Sequence, residues 1–334
     1  MSIKDKNIIV TGGAGYIGSH AVWALLDAGA NVTIIDNLTT GHRWAIPGQA
    51  EFYEGDINDI TFLNKVLSVR DYDAVLHFAG SVVVPESVEN PLKYYRNNTA
   101  ATRSLLEAVV TNAVPYFIFS STAAVYGVPD IAQVSEETPK NPINPYGMSK
   151  LMSEAMLADV SAAHGLSYAA LRYFNVSGAD PQGRTGQSTD GATHLIKVAS
   201  EAALGKRDGV AIFGTDYPTA DGTGVRDYIH VSDLVSAHVA ALEYLMEHPG
   251  ENLTMNLGYG RGYSVREVLQ AVEKVAGVTL NIREEPRRAG DPAELVSSVE
   301  KLHATLDWQA ENDDLETIIS HALAWEDHLS KRNS

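Results

Sequence analysis

Short runs of apolar, β-branched residues alternate along the chain with longer stretches in which apolar residues recur every three or four positions. The first run, residues 7–10, is followed by a Gly-rich turn, a stretch of helical spacing over 16–28, and a second apolar run over 31–35 that ends at Asp36. This order predicts a strand, a turn, a helix and a strand, which together form a βαβ unit. The alternation continues to residue 173 and predicts a parallel sheet covered by helices on both faces.

The same pattern gives the bounds of the other expected elements. Further strands are predicted at 51–54, 74–78, 116–120, 167–173, 210–213 and 253–257, and helices at about 60–69, 92–111, 145–163, 195–204, 232–248 and 264–277. Ser264, with Glu267 three positions later, predicts a capping box, and Ser232 or Asp233 is expected to cap the preceding helix.

The alternation loosens after residue 175, and this change predicts two domains. We expect residues 1–175, with about 226–258, to form a Rossmann-type doubly wound parallel α/β domain. Residues 176–225 and 259–334 are expected to form a smaller mixed α/β C-terminal domain that binds the substrate.

Composition and charge exclude several classes of protein. The 334 residues include no cysteine, which rules out disulfides, zinc–cysteine sites and a catalytic thiol. The net charge of −17 disfavours a nucleic-acid partner. There is no apolar run of ~18 residues and no signal-peptide pattern, so we expect a cytoplasmic protein without a membrane partner. The 11 histidines show no metal-ligand spacing, and no metal is expected.

The Gly-rich turn is a candidate phosphate site. Gly12, Gly15 and Gly18 follow a strand and open a helix. Glycines at this spacing permit a tight turn, a close approach of a pyrophosphate and close packing of the helix, whose N-terminus offers free N–H groups. Asp36 ends the next strand, where a carboxylate binds ribose hydroxyls and repels a 2′-phosphate, so NAD is favoured over NADP. The alternative is a turn that binds nothing.

A second candidate site lies later in the chain. Tyr146 and Lys150 are four positions apart and share one face of a predicted helix, where the ammonium would favour the phenolate. Thr122 follows a strand end, and its hydroxyl could share a hydrogen bond with the phenol and a substrate oxygen. The alternative is an ordinary amphipathic helix end with a surface lysine.

Several motifs carry a resemblance to a known family. T-G-G-A-G-Y-I-G-S-H at 11–20, H-F-A-G at 77–80, F-S-S-T-A-A-V-Y-G at 119–127 and Y-G-M-S-K at 146–150 resemble the extended short-chain dehydrogenase/reductase family. Within it, the chain is similar to the UDP-glucose 4-epimerases at L-R-Y-F-N (171–175), G-V-R-D-Y-I-H-V (224–231) and P-R-R-A-G-D (286–291).

The resemblance implies a bound NAD and reversible epimerisation at C4 of a UDP-hexose through a 4-keto intermediate. Tyr146 would be the general base, Lys150 would bind the nicotinamide ribose and lower the pKa of the tyrosine, and Thr122 would assist with its hydroxyl. The implied cofactor contacts are Gly12, Gly15, Tyr16, Ile17, Gly18, Asp36, Asn37, Asp56, Ile57, Phe78, Ala79, Gly80, Asn97, Tyr146, Lys150, Tyr173 and Phe174. The implied substrate contacts are Thr122, Tyr146, Asn175, His194, Leu195, Arg226, Arg287, Asp291 and Leu295.

The sequence departs from the family pattern at three positions. Thr193 and His194 occupy the place where the family commonly has an asparagine ahead of a helix, and His194 would either donate to the substrate or only cap that helix. Val82 replaces a common lysine. Leu295 replaces a tyrosine that restricts the sugar, so N-acetylated sugars are not excluded.

Alternatives remain open at the level of function. Ala123 and Ala124 lack the acid and base that a 4,6-dehydratase needs. A UDP-pentose or UDP-N-acetylhexosamine 4-epimerase and a non-catalytic NAD-binding sensor or scaffold stay as alternatives.

Without the resemblance, Arg226 would be interpreted as an ion-pair partner of Asp227.

The resemblance also predicts a homodimer through helices near 92–111 and 146–163. One stripe of the first helix is expected either at the dimer interface or packed on the sheet: Leu92, Tyr95, Thr99, Thr102, Leu106 and Val109.

Overall fold

The computed structural model describes residues 2–288 and 290–332. Its strands are β1 (Asn7–Thr11), β2 (Asn31–Asp36), β3 (Glu51–Glu54), β4 (Ala74–His77), β5 (Tyr116–Thr122), β6 (Gln133–Val134), β7 (Ser167–Tyr173), β8 (Asn175–Ser177), β9 (Val210–Phe213), β10 (Val225–Arg226), β11 (Tyr228–His230), β12 (Leu253–Leu257), β13 (Tyr263–Ser264), β14 (Ile282–Glu285) and β15 (Glu294–Ser297). Its α-helices are α1 (Tyr16–Asp27), α2 (Ile60–Leu67), α3 (Val84–Glu89), α4 (Pro91–Tyr94), α5 (Ala101–Thr111), α6 (Pro145–His164), α7 (Leu195–Ala203), α8 (Val231–Glu247), α9 (Val265–Ala276), α10 (Glu300–Thr305) and α11 (Leu315–Arg332).

Seven strands form the central sheet in the order β12-β7-β5-β4-β1-β2-β3, and every neighbouring pair is parallel. The strand order reverses between β1 and β4, where ligands bind at the carboxyl edge of open α/β sheets. Thr11 of β1 lies opposite His77 of β4 at this edge. The predicted doubly wound Rossmann-type sheet is therefore confirmed.

Both faces of the sheet are buried, as the apolar strands predicted. Ile8 and Val10 of β1 belong to a core cluster that includes residues of α1 and α8. Ile9, between them, points to the other face and packs with residues of α2, α5 and α6. Because side chains alternate along a strand, one short apolar run serves two hydrophobic layers.

The C-terminal part has a further hydrophobic cluster of its own. The cluster joins residues of α7, β9, α9 and α11, among them Ile196, Ile212, Leu269 and Ile318. Smaller sheets lie beside it, in the orders β13-β10-β15-β6 and β14-β9. The exact division into two domains stays a prediction, and its end residues 1, 333 and 334 lie outside the described residues.

The chain is helical over 92–111 as predicted, but it does not form one regular α-helix. The chain forms α4, then a π-helical turn over Tyr95–Ala100, and only then α5. Asn98 lies in this turn. Its Oδ1 accepts the N–H of Ser81 at 2.8 Å, and its Nδ2 donates to Ser149 Oγ at 2.9 Å. These partners are distant in sequence, so the helical pattern gave no sign of the wider turn.

The predicted stripe on this helix splits into two parts. Thr102, Leu106 and Val109 are at most 2% exposed and pack inside the protein, so the interface explanation is wrong for them. Leu92 is 78% exposed. Over α5 the stripe is therefore packed on the sheet; before α5, Leu92 is exposed, whereas Tyr95 and Thr99 are half-buried.

One predicted cap is confirmed and another is wrong. Ser264 and Glu267 form the capping box of α9. On α8 the cap is His230, which accepts the N–H of Ser232 at 3.0 Å. Asp233 cannot cap because its carboxylate accepts from Tyr259 Oη and from the Asn312 N–H. Among residues 2–288 and 290–332, no helix is both long enough and apolar enough to cross a membrane.

Candidate active site

The phosphate turn depends on two glycines. Gly12 has a φ of 73°, and a Cβ there would lie 2.6 Å from the Ala79 nitrogen. A Cβ at Gly18 would lie 2.0 Å from the Gly12 carbonyl oxygen. Gly15 precedes α1 and has no side chain to accept from the N–H groups of the first turn. The turn thus packs tightly between β4 and α1 and leaves these N–H groups available to an anion.

Asp36 holds the phosphate turn directly. Its Oδ2 accepts the N–H of Ala14 at 3.0 Å and its Oδ1 accepts the N–H of Leu38 at 2.8 Å. The residue is only 8% exposed, and burial raises the pKa of its carboxyl, while the two backbone hydrogen bonds oppose this. Each oxygen can accept a second bond, so ribose hydroxyls would fit here.

The other predicted cofactor residues surround the carboxyl edge of β1–β4. Asn37 and Asp56 make local turns after β2 and β3. Ile57 is buried, and Ala79 contacts Gly12. Gly80 faces Asn98, and Asn97 donates to Ser81 Oγ. Phe78 packs on His238, and the Tyr173 hydroxyl is hydrogen-bonded to the same imidazole. Phe174 packs in a separate cluster with Tyr126.

The predicted catalytic residues meet where the C-terminal end of β5 lies beside the N-terminal end of α6. Lys150 is 3% exposed; its Nζ donates to the Ser120 carbonyl oxygen at 2.8 Å and lies 5.0 Å from the centre of the Phe119 ring. Burial lowers the pKa of Lys150 to about 8. Thr122 accepts the N–H of Ala124 at 3.1 Å and is hydrogen-bonded to the Tyr146 phenol.

The pKa of Tyr146 does not follow the expectation. Burial raises it above its usual value, and the hydrogen bond with Thr122 opposes this only in part. Lys150 does not contribute, and its Nζ is hydrogen-bonded to a backbone carbonyl instead. The expected lowering by Lys150 is therefore not found in the protein alone.

A buried ion pair behind Lys150 was missed from the sequence. Glu154 accepts two bonds from Arg172, from Nε at 3.0 Å and Nη2 at 2.7 Å, and one from Ser121 Oγ at 2.5 Å. This pair joins α6 to β5 and β7 next to Thr122. The only sequence signal was that Glu154 lies four positions after Lys150, on the same helix face.

Arg226 is free for an anion. Its Nη1 donates to the Val225 carbonyl oxygen at 2.8 Å, and it forms no ion pair with any described residue. The neighbouring Asp227 is fully buried and accepts from the N–H groups of Tyr259 and Gly260 and from Ser297 Oγ. The alternative that Arg226 pairs with Asp227 is therefore wrong.

The two adjacent arginines differ in their partners. Arg287 is paired with Asp216, Nε to Oδ1 at 2.6 Å, and lies over the Tyr217 ring. Arg288 lies 3.7 Å from the centre of the Phe213 ring and forms no ion pair with any described residue. Among the described residues Arg288 is therefore the unpaired cation, whereas Arg287 shares an exposed ion pair; the assignment of Arg287 to the substrate stays a prediction.

Other predicted substrate residues lie nearby on β8, β15 and α7. Asn175 is hydrogen-bonded through its side chain to Tyr228. Leu295 lies opposite Arg226 in the parallel pair of β10 and β15 and packs in the same cluster as Phe174. His194 precedes α7 but its side chain does not cap it, so the capping alternative is wrong.

Two residues complete the predicted substrate set. Leu195 begins α7 and packs against the C-terminal cluster. Burial raises the pKa of Tyr217, the charge of Asp291 adds to this effect, and Arg226 and Arg287 oppose it. No group of three or more His, Asp or Glu in the described part of the chain could hold a metal ion.

Comparison with known proteins identifies the family. Residues 8–258 match the model of the NAD-dependent epimerase/dehydratase family. The chain belongs to this family. The geometry of the phosphate turn and of Asp36 fits the NAD that this epimerase/dehydratase family uses.

Individual relatives are similar over nearly the whole chain. The chain is 54% identical to a UDP-glucose 4-epimerase of Azospirillum brasilense over 98% of this chain and 94% of that protein. Among family structures, it resembles UDP-glucose 4-epimerase from Brucella ovis in complex with NAD, with 47% identity, a TM-score of 0.92 and coverage of 96% and 98%. It also resembles the UDP-Glc/GlcNAc 4-epimerase of Campylobacter jejuni, with 47% identity, a TM-score of 0.85 and coverage of 97% and 99%.

Proposed function

We propose that the protein interconverts UDP-glucose and UDP-galactose by inverting the configuration at C4 of the sugar. The observation that carries this proposal is the cluster of Thr122, Tyr146 and Lys150 at the sheet edge that also bears the phosphate turn. A phenol, a hydroxyl and an ammonium are the groups needed to remove and return a proton at a carbinol. The 54% identity with a UDP-glucose 4-epimerase supports the choice of substrate.

The chain's own residues would hold NAD at three places. The N–H groups at the start of α1 would bind the pyrophosphate, and Asp36 would accept from the adenosine ribose. Lys150 would donate to the nicotinamide ribose. When bound, NAD supplies the acceptor and donor of the C4 hydrogen with its electron pair and, when oxidised, a positive charge beside the site.

The proton at the sugar O4 would move through Tyr146, whose ring would be oriented by Thr122. The phenolate oxygen of Tyr146 would accept the O4 proton as C4 becomes a ketone. After the 4-keto sugar has rotated to present its opposite face, the phenol would return the proton to O4. Thr122 is hydrogen-bonded to the phenol, so it keeps the ring oriented in both directions. Because the pKa of Tyr146 is raised in the protein alone, the phenolate requires the additional positive charge of the loaded site.

The diphosphate of the substrate would bind to the free cations. Arg226 has no carboxylate partner among the described residues, and a planar guanidinium suits bidentate bonds to phosphate oxygens. Arg288 likewise forms no ion pair with any described residue, so it would offer a second guanidinium to the diphosphate. These residues give a local basic pocket in a chain of net charge −17.

A second candidate activity is C4 epimerisation of UDP-N-acetylhexosamines. Leu295 lies next to Arg226 and is smaller than the tyrosine that restricts the sugar, so the pocket would have room for an N-acetyl group. The Campylobacter jejuni relative is named for both glucose and N-acetylglucosamine substrates.

We also infer that the protein is a cytoplasmic homodimer. The absence of cysteine fits a reducing compartment. On α6, Met152 is 41% exposed and Ala155 is also exposed, while Ala100 and Arg103 are exposed on the neighbouring helix. The apolar side chains of Met152, Ala155 and Ala100 would fit packing of two helix pairs, and a monomer in light scattering at micromolar protein would contradict this.

The activity is tested with the purified protein and UDP-galactose, without added NAD, followed by anion-exchange chromatography of the nucleotides. UDP-glucose at a fixed final ratio is expected. Parallel reactions with UDP-N-acetylgalactosamine and a UDP-pentose define the substrate range. A sensor or scaffold would bind NAD but convert none of these substrates, and that result would refute the proposal.

A further inference from the structure

The segment after Asp36 forms a strap, residues 37–46, that is tied to the ribose-binding carboxylate. Leu38 has a left-handed φ of 56°, and its N–H is held by Asp36 Oδ1 at 2.8 Å. The other oxygen, Oδ2, holds the N–H of Ala14 in the phosphate turn at 3.0 Å. Because one carboxylate bonds both segments, a movement of the strap must also move the carboxylate or break one of these bonds.

The strap then returns onto the phosphate turn. The N–H of His42 donates to the Ala14 carbonyl oxygen at 2.9 Å. A Cβ at Gly41 would lie 2.9 Å from the Ala14 carbonyl carbon, so only glycine fits this close approach. Both backbone polar groups of Ala14 are thus bound, one by Asp36 and the other by the strap. The strap and the turn therefore act as one closed unit.

The far end of the strap is held by the C-terminal part of the chain. His42 Nε2 lies 3.0 Å from the Ser188 carbonyl oxygen. The His42 ring stacks on Trp44 with centroids 5.1 Å apart, and Trp44 lies 5.9 Å from Trp325 of α11. The Trp325 indole donates to Ser188 Oγ at 3.2 Å, and Arg332 lies over the Trp44 ring at 4.3 Å.

The segment that receives these contacts is itself fixed to the phosphate-binding helix. Ser19 of α1 is hydrogen-bonded to Thr185, with the two hydroxyl oxygens 2.7 Å apart. Trp325 packs so closely on Gly186 that a Cβ there would lie 2.3 Å from the ring. The segment 185–188 therefore bridges α1, the strap and α11.

We propose that His42, Trp44 and Trp325 form a clasp through which α11 keeps the strap closed on the phosphate turn, and that this clasp sets how slowly NAD is released. The inference rests on the proposed function, since it takes NAD as a retained cofactor. The three residues are positioning residues. They act through Asp36 and the phosphate turn. Dissociation of NAD would require the contacts between the strap and segment 185–188 to break.

The test measures NAD release from the purified holoenzyme. Free NAD is removed by gel filtration, and the NAD that stays bound is assayed over time for the wild type, Trp44→Ala and Trp44→Phe. Loss of the stacked and cation–π contacts should speed release about tenfold in Trp44→Ala. Trp44→Phe, which keeps an aromatic ring, should restore most of the retention. His42→Ala is the second variant in case Trp44→Ala does not fold.

A matched control comes from another stacked pair on the surface. His248 stacks on Tyr244 with centroids 4.1 Å apart, at the end of α8, and no contact joins it to the strap. His248→Ala should leave the release rate unchanged. Release from a folded clasp variant at the wild-type rate would overturn the clasp alone. A wild type that binds no NAD would overturn the clasp together with the proposed NAD site.

Discussion

The ammonium of Lys150 donates a 2.8 Å hydrogen bond to the backbone carbonyl oxygen of Ser120, two residues before Thr122. This bond connects the second turn of α6 to the C-terminal end of β5. Tyr146, one turn earlier on the same helix, is thereby kept beside the Thr122 hydroxyl. The catalytic group is thus positioned by a lysine–backbone contact, while its ionisation depends on what binds next to it.

Replacing Tyr146 by phenylalanine should abolish most of the activity without loss of the fold. The phenol is the only group assigned to the O4 proton, and a positioned acid or base contributes about 10²–10⁴-fold to a rate. The expected result is a fall of that size in kcat, with UDP binding retained in calorimetry. Tyr116→Phe, at the opposite end of β5, is the control and should keep wild-type kcat.

Replacing Asp36 by asparagine should change the choice of dinucleotide. The carboxylate accepts from the backbone of the turn and the strap and would repel a 2′-phosphate. Asp36→Asn should weaken NAD binding by about tenfold, because one charge-assisted hydrogen bond is lost. The protein's preference for NAD over NADP should become smaller. Titration of both dinucleotides measures this, and an unchanged ratio of the two affinities would contradict the role of Asp36.

Replacing Arg226 by methionine should weaken UDP binding. The free guanidinium is assigned to the diphosphate, and a charge-assisted bond contributes about 1.5–3 kcal/mol, so the Kd should rise about 10- to 100-fold. Arg266→Met removes a half-buried arginine paired with Glu284 and serves as the control. Equal UDP affinities for the two variants would exclude Arg226 from the substrate site.

The stability of the protein should fall at acidic pH because of His77. Its Nδ1 lies 2.7 Å from Thr11 Oγ1 and its Nε2 lies 2.9 Å from Thr102 Oγ1, and burial lowers its pKa to about 3. The unfolded chain therefore binds a proton below pH ~6.5 that the folded protein does not, so this histidine's contribution to stability is lost as the pH falls.

The measurement is the free energy of unfolding at pH 7 and pH 5. One such histidine accounts for about 2 kcal/mol of the loss over this range. His77→Gln should therefore show a loss smaller by about that amount. The exposed His164→Gln should behave as the wild type. If His77→Gln kept the full pH dependence, the buried neutral state of His77 would be refuted.

The sequence predicted those features that depend on neighbours in the chain. The bounds of β7, β9 and β12 and the capping box at Ser264 were all found as expected. Their causes are local: apolar runs for the strands, and a Ser–Glu pair three positions apart for the cap.

The features missed depend on partners far along the chain. In the π-helical turn, Asn98 is hydrogen-bonded to Ser81 and Ser149. Arg226 has no ion-pair partner among the described residues because its neighbour Asp227 is bound by Ser297 and by the backbone of Tyr259. No local pattern reports such contacts. The raised pKa of Tyr146 was missed for the same reason, since burial is a property of the folded chain.

The most direct test of the account uses UDP-galactose labelled with deuterium at C4 and holoenzyme without added NAD. The account predicts UDP-glucose that keeps the label at C4, because the hydrogen is taken and returned within one closed site while only the O4 proton passes through Tyr146. UDP-glucose that has lost the label to water, or no UDP-glucose at all, would contradict it.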